Sequence, residues 1–511
     1  MFEITGLFLF LNLMPRKNSF LLLLIVGVLC CQRATSAVVF SNNLLLAQQK
    51  IMQLRIEQAR NYTAREFLQN PDNALTHLFD NYCDFVALII SEDAELYKKL
   101  ILNQNYRLEK VKRSDSRSPY YRFMLAEIHL QWGLVKIKQN NYTEAVMDLR
   151  DAYHLLRENK KYFPNFDLND KSLGLLYVLI GSIPEGYHWL SSLAGLQGNV
   201  TEGSAMIKRF ANDNSQPAEW ILFKKEAGFM DAFLTLWLQK DKTRAFEMIM
   251  QNTTEYKSSL LDNYVRASFC MYTGHNDEAI SIMNVKPRGN DLIQLHFMDY
   301  QLGLAKLYRG DGDADFYLKK FVFTYKGKNY IKECYQKIAW CGLLKGDLKQ
   351  YQTYIKLAKE NGAEKTDEDK QAMREAVSGK IPDTLLLRTR LLFDGGYYQR
   401  AYDLISKHNS HEFSQKKDRC EYAYRKGRIC EEMAKQEEAI RFFTETISLC
   451  KGSSFYFAPN ACLHIGYILE KQKNLSAAIS YYKKAIEYKG HDYKNSIDQK
   501  AKAALKKLEG K

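Results

Sequence analysis

Apolar residues along this chain recur every three to four positions, and a set of small residues is superimposed on that period. Gly133, Gly427 and Gly466 are each followed twelve positions later by an alanine, at Ala145, Ala439 and Ala478. A large apolar or aromatic residue stands four further on, at Leu149, Phe443 and Tyr482, and a second small one at Ala152, Thr446 and Ala485. Residues three, four and seven apart share one face of a helix. Each copy therefore predicts a helix A, a tight turn and an antiparallel helix B, with the small residues where the two helices touch. A repeat of roughly 34 residues is what stacked helical hairpins require. Gly133 is expected to meet Ala145 and Ala152 closely, so a bulky residue at Ala145 would overpack that hairpin by about 1–3 kcal/mol.

The remaining chain reads as helical too, with nine prolines in all and no sustained alternation that would mark a strand. One helix is expected over Ser41 to Asn61, a turn at Asn70-Pro71-Asp72-Asn73, a helix from Ala74 to Ile90 and another capped by Ser91-Glu92-Asp93. Arg107 to Arg117 is polar and basic and reads as a connector ending at Ser118-Pro119. Tyr120 to Arg157 is the first full repeat. The segment from Leu173 to Asn199 is the most apolar, is split by Pro184 and is expected as a buried hairpin. Looser repeats follow, at Ala245, at Gly274 with Glu278-Ala279, at Gly303 with Gly310 and Tyr317, and at Gly346 with Tyr351 and Ala358. Thr366 to Asp369 is a capping box opening a polar helix to Ser378. Gly395-Gly396 with Ala401 marks a further hairpin. The last repeats, Arg419–Cys450 and Phe455–Tyr488, are the most regular, and the Lys-rich Ser496–Lys507 is expected to cap the array. The organisation expected is 1–37, 38–118, 119–260 with an apolar insertion at 172–198, 261–410, and 411–511.

The N-terminal 37 residues change the picture of where such an array works. Met14-Pro15-Arg16-Lys17 is followed by an apolar run, Phe20 to Cys31, and then by small residues at Thr35 and Ala37. A basic start, a short apolar core and a small-residue exit describe a secretory signal cleaved near Ala37. The core is short of the roughly 20 residues that span a bilayer. Cys30 and Cys31 offer a lipoprotein variant, but Leu29 precedes the first of them where a small residue is usual.

The chain carries a formal charge of +14, with acidic and basic residues interspersed. Such a surface suits acidic partners or anionic envelope components, and export argues against nucleic acid. Beyond the leader lie Cys83, Cys270, Cys334, Cys341, Cys420, Cys430, Cys450 and Cys462, without a C-x-x-C, on apolar or helical positions. They read as buried free thiols rather than zinc ligands. Lys326-Gly327-Lys328 lacks the phosphate-loop pattern. His408 and His411 with Glu412 lack metal-site order, and no catalytic motif is present. No metal, no cofactor and no enzymatic activity are expected, although a dispersed site near Glu185 and His188 is a third reading. Five Asn-x-Ser/Thr sequons begin at Asn61, Asn141, Asn199, Asn252 and Asn474; turn geometry accounts for Asn141 and Asn474.

The residues Gly466, Ala478, Tyr482 and Ala485, and in looser form Gly427, Ala439 and Phe443, resemble the tetratricopeptide-repeat family. The chain as a whole is similar to large exported bacterial proteins of that family. The resemblance implies an α-solenoid whose concave surface binds a protein or peptide. It places Tyr424, Arg428, Asn460, Leu463, Tyr467 and Lys471 on the inward side of helix A as partner-binding residues. A terminal-carboxylate clamp of Lys, Asn and Arg is not present as a set at those positions. The expectation is an exported scaffold of the cell envelope, with peripheral membrane association as one setting. The rival is a glycan-capturing outer-membrane lipoprotein on similar helices, which needs a lipidated Cys and Trp-rich insertions, whereas the chain holds five Trp.

Overall fold

The computed structural model describes residues 38–182 and 195–509. Residues 1–37, expected as a secretory signal, and the middle of the expected apolar hairpin (183–194), with Pro184, Glu185 and His188, lie outside the described residues. Among the described residues there is no β-strand, and no helix is long and apolar enough to cross a membrane. The first helices are α1 (Asn42–Met52), α2 (Ile56–Gln69), α3 (Leu75–Ser91), α4 (Ala94–Leu100), α5 (Leu102–Val111), α6 (Pro119–Lys138), α7 (Tyr142–Tyr162), α8 (Leu168–Gly181) and α9 (Val200–Asn212). Then come α10 (Ile221–Trp237), α11 (Lys242–Asn252), α12 (Leu260–Thr273), α13 (Asn276–Asn284), α14 (Phe297–Arg309), α15 (Ala314–Thr324), α16 (Ile331–Leu344), α17 (Leu348–Glu360) and α18 (Asp367–Ser378). The series ends with α19 (Thr384–Asp394), α20 (Tyr398–Ile405), α21 (Lys416–Glu432), α22 (Gln436–Leu449), α23 (Phe457–Lys471), α24 (Leu475–Glu487) and α25 (Lys494–Glu509).

Two compact units are formed. One holds the described residues up to Gln48 together with Gln58–Phe85 and Leu100–Gly203. Its centre is the α6/α7 hairpin, started by Ser118, whose side chain accepts from the Tyr120 amide with Pro119 at the first helical position. Much of its interior is polar and paired. Arg107 on α5 reaches two aspartates of α3, Nη1 meeting Asp84 at 2.7 Å and Nη2 meeting Asp80 at 2.6 Å. Trp132 Nε1 donates to Asn81 at 2.8 Å, and Tyr82 donates to buried Glu127 at 2.9 Å. Lys136 pairs with Asp148 at 2.7 Å.

The other unit holds Gln49–Glu57, Val86–Lys99 and the chain from Ser204. Here consecutive helices pair as α10/α11, α12/α13, α14/α15, α16/α17, α19/α20, α21/α22 and α23/α24, while α18 packs on α16 and α17 and α25 covers α24. The glycines show why these hairpins close. A Cβ on Gly466 would lie 2.4 Å from the Tyr482 ring, and one on Gly427 2.6 Å from the Phe443 ring. Likewise, in the first unit, a Cβ on Gly133 would lie 2.8 Å from Leu149 Cδ2, with the Ala145 carbonyl at 3.4 Å. The residue pressing on each glycine is thus the large one sixteen positions later, seated over it. The alanine at twelve lets the backbones approach so that this can happen. Ala267/Ala279 and Thr389/Ala401 repeat the twelve-residue spacing, and all four are fully buried.

Some contacts skip along the stack. Gly396, at φ +80°, lies against Gly274, so a Cβ there would stand 2.4 Å from the Gly274 carbonyl oxygen. Asn276 donates to the Tyr397 hydroxyl at 3.0 Å, which donates to Asp277 at 2.8 Å. Arg400 donates to the Arg309 carbonyl at 3.0 Å. Lys242 pairs with Glu432 at 3.3 Å across 190 residues of chain.

Three expectations are corrected. The single helix expected over 41–61 is two, because the chain breaks at Leu54 with φ +60°. The freed groups bond elsewhere: the Leu54 carbonyl accepts from Ile293 N at 3.0 Å and the Met52 carbonyl from Ser259 Oγ at 3.0 Å. The basic connector expected from Arg107 begins inside α5, since Arg107 is 2% exposed and neutralised by its two aspartates. Gly346 is the turn residue of its hairpin, at φ +80°, and Gly342 is the close-approach glycine, with Gln350 Cβ 2.8 Å from its notional Cβ. The helix start at Thr366 is as read, with Thr366 Oγ1 accepting from Asp369 N at 3.0 Å, but the Asp369 carboxylate turns to Tyr330 N, Glu333 N and the Thr366 hydroxyl, so only half of the box is formed.

Candidate functional site

The six expected surface residues divide between interior and surface. Tyr424 is 3% exposed and Leu463 1%, so both belong to the core between hairpins rather than to a contact surface. Asn460 donates to the Tyr424 hydroxyl at 2.6 Å, which ties α21 to α23. Arg428 donates to His464 Nε2 at 3.0 Å, pairs with Glu431 at 3.2 Å and Glu432 at 3.5 Å, and lies over the Phe393 ring at 5.1 Å. His464 Nδ1 faces Glu431 at 2.8 Å. This arrangement requires neutral imidazole with its proton on Nδ1, and burial with the Arg428 charge lowers its pKa to about 4. Tyr467 is partly buried and Lys471 exposed.

A more open surface lies nearby. Lys240, in the turn between α10 and α11, stands 4.5 Å over the Tyr467 ring and 3.4 Å from its hydroxyl. Lys500 on α25 has no carboxylate partner among the described residues, and its pKa is lowered by burial and by the charges of Lys240 and Arg428. Lys240 is lowered too, by burial against the pull of Glu470, with Lys507 adding repulsion. Both amines are exposed, yet neighbouring atoms and like charges still disfavour their protonated forms. Ahead of Lys240 in the chain, α10 begins a run of exposed aromatic side chains that continues onto α12: Phe233 at 52%, Trp237 at 51% and Tyr272 at 52%. The rings touch in series, Phe233 to Trp237 at 5.9 Å and Trp237 to Tyr272 at 5.5 Å edge to face. Tyr272 is half exposed, yet burial and the charges of Glu368 and Glu333 raise its phenol.

The repeat signature could not reach Lys240, Lys500, Phe233 or Tyr272. Phe233, Lys240 and Tyr272 fall within about forty residues but outside the repeat's small-residue positions, and Lys500 comes from a helix more than two hundred residues further on.

The other candidates resolve into structure. His408 Nδ1 lies 2.7 Å from Glu412, whose other oxygen accepts from Asn409 N at 3.0 Å, so the group caps a short 3₁₀ turn. No cluster of three or more His, Cys, Asp or Glu is placed to hold a metal among the described residues. All eight cysteines from Cys83 onward are buried and unbridged. Asn474 caps α24 by accepting from Ala477 N at 3.4 Å.

With this geometry in place, residues 459–492, spanning α23 and α24, match the tetratricopeptide repeat family. No curated protein matches the chain in sequence. Among solved structures, the Cut9–Hcn1 hetero-tetramer of APC/C is similar at 13% identity and TM-score 0.28, covering 92% of this chain and 96% of that one. Yeast Tom70 is similar at 13% identity and TM-score 0.25, covering 94% and 90%. The TPR domain of P58(IPK) is similar at 16% identity and TM-score 0.21, covering 82% and 97%. The Gly-under-aromatic seam of the matched repeat recurs in α21/α22, and antiparallel helix pairs continue through the second unit, so the chain carries a tetratricopeptide repeat at 459–492 within an all-helical array of stacked hairpins.

Proposed function

We propose that the chain is an exported scaffold of the cell envelope, whose second unit grips an extended, acidic segment of a polypeptide partner. The observation that carries the binding reading is the exposed Phe233–Trp237–Tyr272 run on helices next to the Lys240 turn, with Lys240 and Lys500 close to one another and neither in a salt bridge with a carboxylate among the described residues. Clustered aromatic side chains anchor partners, and unneutralised cations select acidic ones. The export reading rests on the basic, apolar and small-residue order of the first 37 residues.

Crosslinking pull-downs from envelope extracts test the binding. The reading expects a partner that is captured by the full chain and lost, by tenfold or more, with Trp237→Ala/Tyr272→Ala and with Lys240→Glu/Lys500→Glu. Equal capture by all three chains would refute it. N-terminal sequencing of the protein recovered from the host tests export, with Val38 as the first residue expected and Met1 or Met14 the contrary result.

A further inference from the structure

A recess lies in the second unit, lined by the segment joining α13 to α14. Its volume is about 410 Å³, within the range of small-ligand sites. The floor is apolar: Leu260 and Met298 are buried, and Leu292, Ile293 and Leu295 continue it. The rim is cationic, with Lys286 and Arg288 from the joining segment and Lys320 from α15. Asp299 is the sole carboxylate of the lining. It is 5% exposed and already shared, with Lys320 Nζ at 3.0 Å and Lys286 Nζ at 3.6 Å. Arg288 has no carboxylate partner among the described residues. His296 also lines the recess, and burial lowers its pKa, so it adds no charge at neutral pH.

The walls are held in place without a ligand. Ile293 N donates to the Leu54 carbonyl at 3.0 Å, and Asp291 pairs with Arg55, so the joining segment is pinned at two points to the helix break at Leu54. A preformed recess spends little binding free energy on ordering itself. Three cations facing one carboxylate leave an excess of positive charge over an apolar floor, and that excess shows in Lys286, whose pKa falls through burial and the charges of Lys320 and Arg288 despite Asp299.

We infer that this recess, lined by Lys286, Arg288 and Lys320 over Leu260 and Met298, binds a small organic dianion with an apolar body, such as an aryl phosphate. The dianion's oxygens accept from the two lysines and Arg288, and its ring covers the floor. Asp299 holds the lysines in position and competes with the ligand for them.

Calorimetric titration of the full chain with phenyl phosphate tests this. Saturable binding of one molecule per chain is expected, weakened at least tenfold in Lys286→Gln/Arg288→Gln and strengthened several-fold in Asp299→Asn. Inorganic phosphate and benzyl alcohol should each bind at least tenfold more weakly, since each lacks one half of the ligand. Should Asp299→Asn unfold, Lys320→Gln replaces it and is expected to weaken binding. Absence of saturable heat, binding unchanged by the double substitution, or equal binding of either half-ligand overturns the inference.

Discussion

Replacing Gly466 by alanine puts the helix seam to a quantitative test. A methyl group there would lie 2.4, 2.6 and 3.0 Å from three atoms of the Tyr482 ring, where ordinary carbon contacts are about 3.5–4.0 Å. The ring must retreat by about 1 Å. It has nowhere to go, being fully buried, with its hydroxyl donating to Glu470 at 2.8 Å and its face against Tyr467 at 5.8 Å. Overpacking of this kind costs about 1–3 kcal/mol, while alanine recovers about 1 kcal/mol of helix propensity. Since the ring cannot retreat, the upper part of that range, about 2–3 kcal/mol, applies, and a net loss of about 1–2 kcal/mol is expected. Gly228 on α10 is the control: its notional Cβ meets only the exposed side chain of Asn252, at 3.1 Å, so Gly228→Ala should be neutral or stabilising by up to about 1 kcal/mol. Urea unfolding followed by circular dichroism reads both. The reasoning fails if Gly466→Ala is as stable as the parent, or if its cost persists unchanged in a Tyr482→Ala background, where the ring is gone and the double-mutant cycle should show coupling.

Removing Arg107 leaves buried Asp84 with Arg60 as its one remaining cation and Asn103 as a neutral donor, so Arg107→Met should destabilise the first unit by about 3–5 kcal/mol in urea unfolding, and a loss under 1 kcal/mol would contradict it. His464 is neutral in the fold with a pKa of about 4, against an ordinary value near 6.5. The unfolded chain therefore takes up that proton first as pH falls; the stabilisation is complete above about 6.5 and declines towards pH 4, by up to about 3 kcal/mol. His464→Gln should flatten that part of a stability–pH profile. Burial pushes the thiols of Cys270 and Cys462 up to about 12 and Cys430 to about 11. Since all eight cysteines from Cys83 onward are buried, Ellman's reagent should find none of them fast-reacting in the folded chain and all of them in guanidinium.

Much of the fold was legible because its hairpins are local. Gly427 with Ala439, and Gly466 with Ala478, announce a seam within about forty residues, and periodicity supplies the rest. What could not be read depends on partners far along the chain. The break at Leu54 is stabilised by Ile293 and Ser259, and the helix at Arg107 by aspartates on α3. The same limit governed the site. Tyr424 and Leu463 sit where helix-A position implies a surface, but the neighbouring hairpin covers them. Lys240 and Tyr467 meet across 227 residues, a distance no repeat motif spans.

The back-to-back glycines at 274 and 396 bear on how this array comes apart. A repeat stack in which each member touches only its neighbours can fray from one end, one hairpin at a time. Here Gly274 against Gly396, Asn276 and Asp277 on Tyr397, and Arg400 on Arg309 lash non-adjacent hairpins together like stitches through folded cloth. Pulled from its ends, the stretch from 274 to 400 should yield in one rip rather than in a staircase of small ones, and a side chain introduced at Gly396 should cut the stitch and restore the steps.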